Sequence, residues 1–171
     1  MEKQVVLNRI QTELDALIQT VENIAEADFF KQPNPEKWSI GQNIQHLISV
    51  KQRLVGVFAN PEIMGQWGKS SGTSRSYEEV KTFYTNALKT PPPFLQVYRH
   101  LDTEGSKVEM LGKFKALTAK LLADVNQMAE TDLDTNQIPH PLIGLLTARE
   151  MLHFTGYHIR HHHNIIEKIS F

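Results

Sequence analysis

The stretch Ala148-REMLHFTGYHIRHHHNIIEK-Ile169 decides how this chain is read. Thr147 followed three residues later by Glu150 makes a capping-box start, so a helix is expected from this point. At ~100° per residue, Met151, Thr155, His158, His162, Ile165, Ile166 and Ile169 fall on one stripe, with the two imidazoles near its middle. The stripe of a packed helix faces the core, so two ring nitrogens are aimed inward, where each needs a partner. The i, i+4 spacing sets them one turn apart on one face, which lets them converge on a single ion. A buried pair bonded to carbonyls or to each other is the other reading of the same spacing.

Working outward, four more segments repeat apolar residues at three and four. Leu7, Ile10, Leu14, Leu17, Val21 and Ile24 predict a first helix from about Lys3 to Ala27, stopped by the Pro-rich run from Lys31 to Lys37. Ser39 and Gln42 open a second, carried by Ile40, Ile44, Leu47, Ile48, Leu54, Val55 and Phe58 to about Ala59. Residues 60–76 read as a long connection, after which Ser76 and Glu79 begin a shorter helix through Val80, Phe83, Tyr84, Ala87 and Leu88, closed by Pro91, Pro92 and Pro93. Val108, Leu111, Phe114, Leu117, Leu121, Leu122, Val125 and Met128 mark another long helix. No alternating strand pattern competes. Four long helices and one additional short helix predict an all-α bundle in one domain spanning residues 1–171.

The 171 residues are 40% hydrophobic and 22% charged, enough for a core that folds alone. A formal net charge of -1 with no block of either sign argues against nucleic acid or an anionic membrane as partner. With no cysteine there is neither a disulfide framework nor protein thiol chemistry, so any metal must be held by histidine and carboxylates. The opening MEKQVVLNRIQTELD lacks the apolar core of a signal peptide, and no apolar run approaches the ~20 residues of a membrane span. A cytoplasmic protein is expected.

His46 lies roughly 140° around its helix from the apolar stripe, on a flank shared with Val50 and Val57 that can face a second groove. Two ligands from one helix and a third from a facing helix make an open zinc-type site. His46, His158 and His162 form such a set, although His46 alone also reads as a partly buried histidine satisfied by one hydrogen bond. His161 and His163 sit beside the stripe and His153 nearly opposite it, so these three are expected on helix flanks or at the surface. His140, between two prolines, reads as a loop residue. Trp38 is expected to staple the helix entry by packing or to wall a nearby site. There is no Gly-rich phosphate loop, G-x-S-x-G elbow or H-E-x-x-H, so any catalysis rests on the metal.

The segment Trp38-Ser-Ile-Gly-Gln-Asn-Ile-Gln-His46 resembles the W-[ST]-x(6)-H element of the DinB superfamily, the YfiT/DinB-like metalloenzymes. His140-Pro-Leu-Ile-Gly144-Leu-Leu-Thr147-Ala-Arg-Glu150, followed by His158 and His162, is similar to that family's H-P-x-x-G-x-L-T-x-x-E and H-x(3)-H elements. The likeness covers nearly the whole chain in element order. It implies a DinB-type four-helix bundle with up-down-down-up connectivity, and a divalent metal ion, nickel or zinc, held by His46, His158 and His162. It further implies a homodimer acting on a small-molecule substrate. The activity is either a thiol-dependent, bacillithiol-type S-transferase using a low-molecular-weight thiol, or a metal-dependent hydrolase. A non-catalytic metal- or ligand-binding bundle is the alternative. The chain departs from many relatives at Asn164, where Gln is frequent, and at Met151, where Trp is frequent; neither is a proposed ligand.

Overall fold

Apolar periodicity becomes four long helices in the computed structural model, which describes residues 2–90 and 101–170. They are α1 (Lys3–Glu22), α3 (Ile40–Phe58), α6 (Lys107–Asn126) and α8 (Ala148–Ile166). Between them lie α2 (Glu26–Phe30), α4 (Pro61–Gly65), α5 (Tyr77–Ala87), α7 (Glu130–Thr135) and a hairpin of β1 (Gln137–His140) and β2 (Gly144–Thr147). Capping boxes start α3, α5, α6 and α8 at Ser39, Ser76, Ser106 and Thr147, each residue exchanging hydrogen bonds with the Gln or Glu three positions on.

Contacts at the helix ends fix the directions. Lys3 at the start of α1 bonds to Asn126, Met128 and Glu130 beyond the end of α6, while Lys107 at the start of α6 reaches the carbonyls of Glu22 and Ile24. These two helices are therefore antiparallel. Gln42 and Gln45 of α3 bond to Leu101 and Glu104 just ahead of α6, so α3 runs with α6. Thr20 meets His163 near the ends of α1 and α8, and Arg9 crosses Gly156 midway, so α8 runs with α1. The order is up-down-down-up, and it leaves the early turns of α3 beside the late turns of α8. Ile10, Leu17, Ile44, Phe114, Leu121 and Leu152 fill the core between the four. No helix among the described residues is long and apolar enough to cross a membrane.

Three local expectations are corrected. The first helix does not run to Ala27: it ends at Glu22, and α2 then turns Phe29 into the core against Gly41, where a Cβ would stand 3.0 Å from the Phe29 ring. A side chain there would push the ring back by a few tenths of an ångström. Residues 60–76 are not one open connection, since they contain α4 and a bridge from Lys69 to Asn136. The third is the hairpin, whose four-residue strands are too short and Pro-interrupted to show a period. Gly144, at φ 74°, supplies the left-handed residue that returns the chain. The Pro91–Pro93 stop lies outside the described residues.

Candidate metal centre

The Ser39 capping box fixes the first turn of α3, from which Asn43 and His46 project one turn apart; α8 brings His158 and His162 to meet them. His158 Nε2 lies 3.2 Å from His46 Nε2 and 3.1 Å from His162 Nε2. All three ligand atoms lie within 4.8 Å of one another. The rings stand steeply to one another, at 78° for His46 and His158 and 84° for His158 and His162, with their Nε2 atoms meeting at the tips. A proton on His158 Nε2 serves one neighbour well and the other badly, which leaves nitrogen lone pairs facing a shared point.

That point suits a cation. An ion held tetrahedrally at the ~2.0–2.1 Å of zinc–imidazole bonds needs its nitrogens about 3.3 Å apart, and the two closest spacings here are 3.2 and 3.1 Å. Three imidazoles without a thiolate favour zinc, nickel, copper or iron over magnesium or calcium. Burial also holds the ligand form in place. It lowers the His46 pKa to about 4, assisted by the charges of His161 and Arg53, and pushes His158 and His162 well below the ordinary range, assisted by their neighbouring imidazoles.

Aromatic rings frame the centre. Trp38 stacks at 16° on His162 with 6.2 Å between centroids and sits 5.2 Å from His46, so it walls the site as well as leading into α3. Phe154 stacks on His158 at 4.9 Å, and His140 packs edge-on against Phe154 at 4.3 Å. A cleft of about 740 Å³ opens over His46 and His162, walled by Trp38, Tyr84, Leu142 and Ile165. Burial, assisted by Tyr157, raises the Tyr84 pKa to about 12 and keeps its phenol protonated.

The other histidines divide differently from expectation. His161 is a flank residue whose ring lies 5.1 Å from His162 and lines the cleft. His153 is not at the surface: it is 2% exposed, packed edge-on against Tyr77. His163 is buried too, with Nε2 2.7 Å from Thr20 Oγ1. The wheel misplaces them because α1 and α5 cover the side of α8 that lacks an apolar stripe. His140 lies on β1, its Nδ1 accepting the amides of Leu142 and Ile143. Asn43 escaped notice altogether; its polar side chain three residues before His46, on the edge of an apolar stripe, was the available signal. Its Nδ2 donates to the Ser39 carbonyl, and its Oδ1 lies 2.8 Å from His162 Nδ1.

Two solved structures share the fold. TT2238, described as a four-helix bundle protein, aligns with TM-score 0.62 at 17% identity over 97% of this chain and 98% of its own. YfiT from Bacillus subtilis, described as a probable metal-dependent hydrolase with an unusual four-helix bundle topology, aligns with TM-score 0.63 at 16% identity over 99% of this chain and 86% of its own. Comparison with curated proteins finds no significant sequence match. The sequence pattern of the DinB superfamily matches residues 9–166, all of the bundle but the first turns of α1, and the chain belongs to the DinB superfamily.

Proposed function

We propose that the protein is a metal-dependent hydrolase of small molecules, with His46, His158 and His162 holding a zinc or nickel ion. The observation that carries this reading is the convergence of three neutral Nε2 atoms beside an open cleft. A divalent ion there supplies Lewis acidity, lowering the pKa of a water toward neutrality and polarising the bond to be cut. Protein groups do the rest. Trp38, Leu142 and Ile165 pack the apolar part of a substrate and displace water, and a volume of about 740 Å³ accommodates a small molecule rather than a polymer. Tyr84 keeps its proton and offers it as a hydrogen bond into the cleft. The hydrolase description of YfiT supports the same class.

The test uses tag-free protein, metal analysis, and panels of esters and amides with and without low-molecular-weight thiols, each compared with His158→Ala. Hydrolysis without thiol, lost in the variant, is expected. Turnover of electrophiles only with thiol replaces the hydrolase with an S-transferase. A bound ion that exchanges no exogenous ligand and supports neither reaction makes the protein a metal-binding bundle. The homodimer that the resemblance implies is part of the proposal, and light scattering at micromolar concentration tests it.

A further inference from the structure

We infer that Asn43 is a positioning residue for the metal centre: it holds His162 in the tautomer protonated at Nδ1 and so presents Nε2 to the ion as a lone pair. This rests on the metal-centre reading for its purpose, though the hydrogen bond stands by itself. The Ser39 carbonyl can only accept, and it lies 2.8 Å from Asn43 Nδ2, so the amide nitrogen faces it and the amide oxygen faces His162. An oxygen that can only accept, 2.8 Å from His162 Nδ1, requires the proton on Nδ1. A neutral imidazole carries one such proton, and Nε2 is left bare where it meets His158 Nε2 at 3.1 Å.

A purely local role for Asn43 does not account for this geometry. The Ser39 carbonyl already receives the Asn43 backbone amide at 3.1 Å, so the side chain is not needed to satisfy it. Asn43 is 1% exposed, and the capping box fixes the turn that carries it. His162 is thus held on two sides, along its edge by Asn43 and across its face by Trp38. A partner of this kind orients a ligating imidazole and raises its basicity, and losing it typically costs ~10–100-fold in metal affinity.

The test has a readout independent of activity. Nitrogen NMR of the metal-free, tag-free protein near pH 7.5 reports which nitrogen of His162 carries the proton, and competitive chelator titration gives the zinc affinity of wild type, Asn43→Leu and Asn43→Asp. Expected are a protonated Nδ1 in wild type, a zinc affinity ~10–100-fold weaker in Asn43→Leu with unchanged helical circular dichroism, and recovery in Asn43→Asp, whose carbonyl oxygen also accepts while its hydroxyl serves the Ser39 carbonyl. A wild-type His162 protonated at Nε2 overturns the inference even if Asn43→Leu fails to fold, and so does equal zinc affinity in wild type and a folded Asn43→Leu. Protein that takes up neither zinc nor nickel while His162 Nδ1 carries the proton overturns the metal-centre reading instead, and with it the purpose assigned to Asn43.

Discussion

The helix α3 buries polar side chains in two places, and the two differ in kind. Near its start, Asn43 and His46 reach partners on α8, and their atoms are aimed at one another and at a common point. Two turns later, Lys51 lies in the middle of the apolar stripe, 2% exposed, with no hydrogen-bond partner for Nζ among the described residues and the Phe114 ring 5.8 Å away. Burial shifts groups in both regions toward neutrality: His46 to about 4, Lys51 to about 7. A perturbed pKa therefore does not by itself mark a site here. Convergence of lone pairs does, and its absence marks a cost to stability.

The largest separation between the two regions should appear in metal binding. His46→Ala, His158→Ala and His162→Ala should each weaken zinc or nickel affinity by more than the ~100-fold upper range for an outer partner, whereas His153→Ala and His163→Ala should leave occupancy near wild type. Elemental analysis of tag-free protein reads this directly. Full occupancy in His46→Ala would remove α3 from the centre.

At Lys51 the expected effect is on stability and has a defined sign. The folded pKa is about 7 against the ordinary lysine value of 10.5, so the unfolded chain binds more protons between those limits and stability rises with pH across that window. The burial penalty is largest below pH 7, where relief by Lys51→Met should be on the order of 5 kcal/mol. That gain should fade toward pH 10.5 in urea melts. A gain independent of pH would mean that packing, not charge, sets it.

His153 should sharpen the contrast on a smaller scale. Burial, assisted by Arg9 and Arg149, lowers its pKa to about 4 from 6.5, so the stability of the neutral ring is fully present above pH 6.5 and lost as pH falls toward 4. His153→Phe should flatten acid destabilisation in that window by on the order of 2 kcal/mol, with metal content at neutral pH unchanged. An acid limb identical to wild type would contradict the assignment.

The smallest effect is that of removing the ion. The apolar core among the four helices is packed without the ion, so chelation should lower Tm by only ~5 °C and leave the helical circular-dichroism signal intact at ambient temperature. Unfolding on addition of EDTA would make the centre structural.

The four long helices were legible because each carries apolar residues at three and four and two of them start at a capping box read from the sequence, signals local enough to read without knowing the neighbours. His158 and His162 were legible for the same reason, as polar entries in an apolar stripe. His153, His163 and Lys51 were not, because what covers them is decided by α1, α5 and α6 and not by their own helix. Asn43 shows the other limit. Its partner is His162, 119 residues away, and nothing within α3 reveals that pairing. The hairpin was hidden by its brevity.

The connectivity has a kinetic consequence. His46 and His158 are separated by 112 residues, and the helix that carries the second pair is made after all the others. Contacts so distant in sequence pay their chain-closure entropy late in folding. During synthesis α1, α3 and α6 emerge first, and of the three proposed ligands only His46 is then present. Were an ion bound by all three, its loading would report that α8 has docked.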